Sequence, residues 1–193
     1  LIDDDEAIRD SLSWLLESRG VACRSYASAE EFLSAWNASL AGCILLDIRM
    51  EGMSGPELFD VLNERGNRLP VIFLTGHGDV PMAVSAIKKG AFDFVEKPCN
   101  DNELANRVIA ALQLDARQRM AASDADSVNT LIDRLSTRER QVMERILAGK
   151  LNKVIADELA ISMRTVEVHR ANVFEKMGVR TAVELAQLLA SRR

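Results

Sequence analysis

Four short apolar runs in the first half of the chain each end on residues that could hold or sense a phosphoryl group. The runs end on the acidic triplet after Leu1 and Ile2, on Asp47, on Thr75 and on Lys97. Apolar runs without alternation are typical of buried parallel strands, because both faces of such strands are covered. In open α/β sheets the ligand site forms beyond the carboxyl ends of the strands. We therefore expect carboxylates, a hydroxyl and an ammonium to converge on one crevice.

Helical signals separate the apolar runs and predict an alternating α/β domain. The expected strands cover residues 1–2, 21–26, 43–47, 71–75 and 93–95, and each is followed by a segment with helical spacing. This order predicts a (βα)5 architecture, a doubly wound parallel sheet with helices on both faces. The sequence begins almost inside the first strand, so we expect a few further residues ahead of Leu1.

Charge divides the chain into an acidic and a basic part. Residues 1–120 carry 12 Lys and Arg against 19 Asp and Glu, whereas residues 134–193 carry 12 against 7. The asymmetry predicts two domains with different partners, and the basic end is the candidate for binding a polyanion. We place the domains at residues 1–114 and 133–193, with a linker at 115–132. The linker lacks Gly and Pro, which favours a helix, although a frayed coil fits almost as well.

Helical signals alone follow residue 135, and they predict an all-α domain of four helices. Ser136, Ser162 and Thr181 are placed to cap helices. The second and third helices, joined by residues 160–162, match a helix-turn-helix, whose second helix enters the major groove of DNA. The residues expected to contact DNA are Lys153, Arg164, Thr165, Glu167, Val168, His169, Arg170 and Ala171.

The types of these residues suggest different contacts with DNA. Arginine and lysine would neutralise phosphates, Val168 and Ala171 could touch thymine methyl groups, and Glu167 could accept a hydrogen bond from cytosine. His169 suits a phosphate contact or packing better than metal binding, because no second histidine is near it in sequence. A basic helix that is simply solvated is the alternative on charge alone.

Bulk properties narrow the class of protein. The chain has no apolar run approaching the roughly 18 residues of a membrane span, and its acidic start is unlike a secretory signal. Cys23, Cys43 and Cys99 are odd in number and widely spaced, which is typical of reduced thiols rather than of disulfides or a zinc site. We therefore expect a cytoplasmic protein that does not associate with membranes.

The predicted crevice suits metal-assisted phosphoryl chemistry. Clustered carboxylates repel each other unless a divalent cation lies among them, and oxygen ligands suit Mg²⁺. An aspartate beside Mg²⁺ can attack phosphorus and form an aspartyl phosphate. Lys97 would add positive charge to the phosphoryl oxygens, and Thr75 could donate a hydrogen bond to one of them.

The ordered set Asp3-Asp4, Asp47, Thr75 and Lys97-Pro98 resembles the receiver domain of two-component response regulators. The resemblance spans roughly residues 1–114 and implies the flavodoxin-like receiver fold. It also implies that Asp47 is the phosphoacceptor, a target for phosphorylation rather than the nucleophile of an enzyme with steady turnover. Slow autodephosphorylation is the most catalysis expected.

The same resemblance implies roles for further residues. The implied ligands of Mg²⁺ are Asp3, Asp4, Asp47 and the main-chain carbonyl of Arg49, with Asp5 outside the set. Lys97 would pair with the phosphoryl group, and its bond to Pro98 is expected to be cis. Thr75 and Phe94 would form the switch pair that senses the phosphoryl group. Many receivers carry Tyr at the position of Phe94, so a rotamer report there could be weaker or based on packing alone.

Three runs in the last domain resemble the LuxR-type DNA-binding domain: Leu135-Ser-Thr-Arg-Glu-Arg-Gln-Val, Asn152-Lys-Val-Ile-Ala and Arg164-Thr-Val-Glu-Val-His-Arg. Together with Thr75-Gly-His-Gly-Asp-Val-Pro-Met-Ala-Val, they make the whole chain similar to the FixJ/NarL response regulators, in the branch of FixJ and StyR. The resemblance implies a phosphorylation-activated transcription regulator, with activation as the expected output.

The resemblance also implies partners. A sensor histidine kinase would phosphorylate Asp47, after which the protein would form a homodimer, bind double-stranded promoter DNA and act on RNA polymerase. Residues 80–89 with 93–95 are the expected dimer face of the first domain, and residues 181–191 that of the second.

Two other functions stay open at this point. Phosphatases of the haloacid dehalogenase type also form an aspartyl phosphate, and Asp3-x-Asp5 matches their motif in part, but Ala7 stands where Thr or Val is wanted. A constitutive DNA-binding protein could instead use the first domain as a platform for binding other proteins.

Overall fold

A computed structural model describes residues 1–76 and 80–190 of the chain, without the side chains of residues 80, 81 and 83. The run of residues 75–84 that contributes to the family resemblance is therefore described only in part. The end of the expected dimer face at residues 181–191 lies outside the described residues. Two compact units divide the chain, Leu1–Arg117 and Gln118–Arg193.

Strands and helices alternate through the first unit. Its elements are α1 (Glu6–Ser18), α2 (Ala29–Ala35), β1 (Ile44–Asp47), α3 (Gly55–Glu64), β2 (Val71–Thr75), α4 (Val80–Lys88), β3 (Asp93–Glu96) and the start of α5 (Asp101–Asp133), a helix that extends past the end of this unit. The three strands are parallel and lie in the order β1-β2-β3. Asp47 is in register with Leu74, and Thr75 with Glu96, so the carboxyl ends of the strands share one edge.

The strands predicted at residues 1–2 and 21–26 form single bridges rather than ladders. Ile2 bridges Tyr26 on one side and Leu46 on the other, both in parallel. The Tyr26 amide donates to the Leu1 carbonyl at 2.9 Å, and the Leu1 backbone nitrogen donates to the Arg24 carbonyl at 2.8 Å. The spatial order still matches the doubly wound, flavodoxin-like sheet.

Apolar side chains cover both faces of the sheet. Val71 and Phe73 of β2 lie in a core shared with α2, α3 and α4, whereas Ile72 and Leu74 lie in a core shared with α1 and α5. Phe59 of α3 meets Phe73 edge-on, with 5.5 Å between the ring centres. Burial on both sides explains why these strands show no polar alternation in sequence.

The α5 helix continues without a break for 33 residues. Leu104 and Val108 near its start are buried in the core of the first unit, and Val128 and Ile132 near its end are buried in the core of the second. Asp115 is also buried, and its Oδ2 accepts a hydrogen bond from the Gly42 amide at 2.9 Å. The residues expected to form the linker, 115–132, all lie within this helix.

The second unit contains the four helices that the sequence predicted: α6 (Thr137–Leu147), α7 (Asn152–Leu159), α8 (Met163–Met177) and α9 (Ala182–Ala190). Ser136 caps α6 in a capping box with Glu139, and Ser162 caps α8. Side chains from all four helices meet in one apolar core, which includes Val142, Ile146, Ile155, Val166, Val173 and Leu185. None of the helices in the described ranges is long and apolar enough to cross a membrane.

Candidate functional site

Asp3, Asp47 and Lys97 meet at the carboxyl edge of the sheet. The Nζ atom of Lys97 lies 2.6 Å from Asp3 Oδ2 and 2.6 Å from Asp47 Oδ1. Both carboxylates are nearly buried, with 1% of Asp3 and 7% of Asp47 exposed. The bond between Lys97 and Pro98 is cis, as expected. The structure thus brings together three residues from distant strand ends, as the sequence predicted.

Backbone groups hold these carboxylates in place. The second oxygen of Asp47 accepts a hydrogen bond from the Arg49 amide at 2.8 Å, and Asp3 Oδ1 accepts one from the Asp5 amide at 3.0 Å. Arg9 donates from Nη1 to the main-chain carbonyls of Asp3 and Asp4, both at 2.9 Å. Arg9 was missed in the sequence, where its place on the first helix gave no sign of contact with the acidic triplet.

The ammonium of Lys97 is shared by the nearly buried carboxylates of Asp3 and Asp47. Burial is the main cause that raises the pKa of Asp47, and the negative charge of Asp3 acts in the same direction, against the hydrogen bond from Lys97. For Lys97 burial alone would lower the pKa, but the hydrogen bonds to Asp3 and Asp47 outweigh it, and its pKa is raised. The site therefore keeps uncompensated negative charge.

The expected switch pair lies on the neighbouring strands. Thr75 is buried, and its hydroxyl donates a long hydrogen bond of 3.5 Å to the Val95 carbonyl. Its own carbonyl accepts from the Lys97 amide at 2.7 Å, which joins the ends of β2 and β3. Phe94 is half-buried against the core shared with α2, α3 and α4. Arg107 of α5 donates to the Phe94 carbonyl at 3.0 Å, a contact that helical spacing alone did not predict.

Asp4, the third expected metal ligand, lies at the exposed rim of the site. Its Oδ2 accepts a hydrogen bond from the Glu51 amide at 2.9 Å. Across residues 1–76 and 80–190, no three His, Cys, Asp or Glu side chains stand as a group ready to hold a metal ion. The donor chemistry nevertheless fits a hard cation, because the two carboxylates of Asp3 and Asp47 share a single ammonium.

The start of α3 approaches the backbone of Asp47 very closely. A Cβ atom added to Gly55 would lie 2.1 Å from the Asp47 carbonyl oxygen. The Gly55 amide donates to the Ile48 carbonyl at 3.1 Å. Only glycine fits at this position. Such a close approach of two backbones cannot be seen from the sequence alone.

The α8 helix turns one side to the core and the other to solvent. Val166 and Val173 are fully buried, whereas Val168 is 53% exposed although it is apolar. Five of the eight residues expected to contact DNA are exposed: Lys153, Arg164, Glu167, Val168 and Ala171.

The other three DNA candidates are partly buried, and two of them contact neighbouring side chains. The Thr165 amide donates to Ser162 Oγ at 3.1 Å as part of the helix cap. The Arg170 guanidinium lies 5.4 Å from the centre of the Phe174 ring. His169 has a buried Nδ1 atom for which the described part of the chain offers no hydrogen-bond partner. Sequence periodicity placed these residues on α8 but did not separate them from the exposed ones.

A doubly wound α/β unit with an acidic, lysine-bearing site, followed by a helix-turn-helix unit, defines a signal-receiving DNA-binding protein. The sequence profile of the response regulator receiver domain matches residues 1–109, and that of the bacterial regulatory proteins of the luxR family matches residues 133–189. The chain therefore belongs to the two-component response regulators with a LuxR-type DNA-binding domain. Members of this family are transcription regulators rather than typical enzymes, and they interact with sensor kinases and promoter DNA.

Relatives with this domain pair match nearly the whole chain. The C4-dicarboxylate transport transcriptional regulatory protein DctR of Rhodobacter capsulatus is 48% identical over 97% of this chain and 96% of its own length. The transcriptional regulatory protein FixJ of Azorhizobium caulinodans is 48% identical over 97% of this chain and 89% of its own length.

Solved structures of this type are similar to the chain as well. The response regulator StyR has a TM-score of 0.90 at 39% identity, covering 98% of this chain and 96% of its own. Full-length FixJ from B. japonicum has a TM-score of 0.62 at 42% identity, covering 99% and 94%. Both confirm the predicted fold class.

Proposed function

We propose that Asp47 accepts a phosphoryl group from a sensor histidine kinase and that this modification controls promoter binding by the second unit. The contact of Lys97 with both Asp3 and Asp47 carries the proposal, because it places an ammonium beside a nearly buried carboxylate at the strand ends. In the transfer, a bond forms between an Asp47 oxygen and phosphorus while the bond from phosphorus to the kinase imidazole breaks. The leaving imidazole takes up a proton.

The residues around Asp47 have distinct tasks in this proposal. Asp3, Asp4, Asp47 and the Arg49 carbonyl would hold Mg²⁺, which supplies positive charge to the phosphoryl oxygens when bound. Lys97 exchanges its contact with the Asp47 carboxylate for one with a phosphoryl oxygen. This exchange is available without rebuilding the site, since the Lys97 ammonium already lies 2.6 Å from an Asp47 oxygen.

Thr75 and Phe94 would report the modification. The long 3.5 Å hydrogen bond from the Thr75 hydroxyl to the Val95 carbonyl is weak, so a phosphoryl dianion can compete for the hydroxyl. Phe94 is half-buried and lies on the strand next to Thr75, so its packing can respond when that hydroxyl turns. Because Phe94 has no hydroxyl, the response is one of packing.

The output side follows the same proposal. Residues 1–114 form the receiver, 115–132 the helical linker and 133–193 the DNA-binding domain. Phosphorylation promotes a homodimer through α4 with β3 and through α9, and the exposed side of α8 then binds the promoter, where the protein activates RNA polymerase. The protein acts in the cytoplasm, where bacterial promoter DNA lies, and loses the phosphoryl group slowly by itself.

The test uses the full chain with and without a small acyl phosphate and Mg²⁺. We expect covalent labelling at Asp47, a larger species on a sizing column and tighter promoter binding in a gel shift, all lost in Asp47→Asn. An Asp47→Asn variant that responds like the wild type would overturn the proposal. Steady turnover of a phosphate ester would instead indicate a phosphatase, and unchanged DNA binding without labelling a constitutive regulator.

A further inference from the structure

The amide of Glu51 is the only hydrogen-bond donor shown for the Asp4 carboxylate in the described part of the chain. The bond is 2.9 Å long and joins residues that are 47 positions apart. It connects the end of the first strand to the segment between Asp47 and α3. Asp4 is exposed, so without this bond its side chain would sample several rotamers in water.

A second carboxylate holds the same segment from another side. Glu30 of α2 accepts a hydrogen bond from the Met53 amide at 3.3 Å. The segment between Asp47 and α3 thus gives one amide to an acid at the site and another to an acid away from it. The two contacts are alike in chemistry, and only that of Glu51 reaches a residue expected to bind the cation.

We propose that the main-chain amide of Glu51 is a positioning group that orients the Asp4 carboxylate for divalent cation binding. This inference rests on the proposed Mg²⁺ site. The amide occupies Oδ2 of Asp4 and so leaves the other oxygen for the cation. Partners that orient a metal ligand in this way typically change metal affinity by about 10-fold to 100-fold.

The proposed positioning group is the backbone N–H of Glu51 and not its side chain. Substitutions that remove this N–H should therefore weaken Mg²⁺ binding more than those that change only the side chain. Glu51→Pro removes the N–H group, whereas Glu51→Gln keeps it and removes only the side-chain charge. Glu30→Gln is the matched control, since it weakens the other acid contact of the same segment. The Mg²⁺ dissociation constant of the full, unphosphorylated chain can be measured by calorimetry, with no phosphoryl transfer involved.

We expect Glu51→Pro to weaken Mg²⁺ binding about tenfold, and Glu51→Gln and Glu30→Gln to change it by less than about threefold. Equal dissociation constants for Glu51→Pro and Glu51→Gln would overturn the inference while leaving the Mg²⁺ site intact. If the wild type bound no Mg²⁺ at all, the proposed metal site itself would be wrong, and this inference with it.

Hydrogen exchange provides a readout that does not depend on how Glu51→Pro folds. In the chain without metal, Asp4→Ala should speed exchange of the Glu51 amide on the order of tenfold and leave the Met53 amide unchanged. Glu30→Ala should instead speed exchange of the Met53 amide and leave the Glu51 amide unchanged. An exchange rate of the Glu51 amide that is the same in Asp4→Ala as in the wild type would contradict the proposed contact.

Discussion

Each unit of the molecule contains a lysine paired with a nearly buried carboxylate, yet the two pairs differ in what surrounds them. In the second unit Lys176 lies 2.7 Å from Glu139, which also closes the capping box of α6. The hydrogen bond from Lys176, together with those from Ser136, lowers the pKa of Glu139 to about 2. In the first unit Lys97 is shared by Asp3 and Asp47, and the pKa of Asp47 is raised.

The difference separates a stabilising ion pair from a reactive site. Glu139 accepts hydrogen bonds from the Lys176 ammonium and from the Ser136 amide, so its charge is satisfied. Asp47 shares the Lys97 ammonium with the second carboxylate, that of Asp3. The negative charge of Asp47 is therefore not fully compensated. Unsatisfied charge at the end of parallel strands is suited to an incoming cation and a phosphoryl group. Four substitutions test this contrast.

The largest effect is expected for Lys97→Met. Removing the shared ammonium leaves two buried carboxylates side by side, which we expect to cost about 3 kcal/mol of unfolding free energy. Urea denaturation with and without Mg²⁺ measures the change, and added Mg²⁺ should reduce it. Adding Asp3→Asn to Lys97→Met should recover part of the loss. An unchanged urea midpoint in the single variant would show that the carboxylates do not depend on Lys97.

A smaller effect is expected for Gly55→Ala. The added methyl group would collide with the Asp47 carbonyl, so we expect a loss of about 2 kcal/mol together with slower labelling of Asp47 by an acyl phosphate. Gly66→Ala is the control, because an alanine at Gly66 is strained by a positive φ of 74° but has nothing within 4 Å of its added Cβ. It should lower stability while labelling stays normal. Equal labelling in both variants would contradict a role for Gly55 in placing Asp47.

Glu139→Gln should lower stability by about 1 kcal/mol near neutral pH. The pKa of Glu139 falls from 4.5 to about 2 on folding, so its contribution is fully present above about pH 4.5 and disappears as the pH drops toward 2. Urea midpoints of wild type and variant should therefore converge between pH 5 and about pH 2. A constant difference across this range would mean that the charge of Glu139 is unimportant.

For Asp47→Asn we expect a change in stability as small as that of Glu139→Gln but of the opposite sign. Asp47→Asn removes one of two buried like charges and should raise stability by roughly 1 kcal/mol in the absence of Mg²⁺. Thermal unfolding of the two proteins in a chelating buffer measures this gain. A loss of stability in Asp47→Asn would place Asp47 in the same class as Glu139 and remove the contrast between the units.

The sequence predicted the contacts that depend on strand order but missed those that depend on the path of the backbone. Asp3, Asp47 and Lys97 meet because parallel strands end at a common edge, and a pattern of apolar runs is enough to foresee this. The contacts of Arg9 and Glu51 join side chains to main-chain groups, so their partners are set by loop geometry that no residue type reveals. The roles of the individual residues in phosphorylation and DNA binding stay predictions.

The helical domain shows the same division. Capping residues and apolar spacing predicted α6 to α9, because local signals decide where short helices begin and end. Periodicity placed the DNA candidates on α8 but did not tell which of them are exposed. The stacking of Arg170 on Phe174 did not, since either side chain could have turned to solvent at the same helical position.

The buried contact between Asp115 and the Gly42 amide has a practical consequence for dissecting this protein. A fragment that ends before residue 115 would leave that amide without its acceptor and expose the apolar residues around it. Isolated receiver fragments should therefore end after residue 117, where the first compact unit ends. The stability measured on a shorter fragment would reflect the loss of this contact rather than the stability of the receiver.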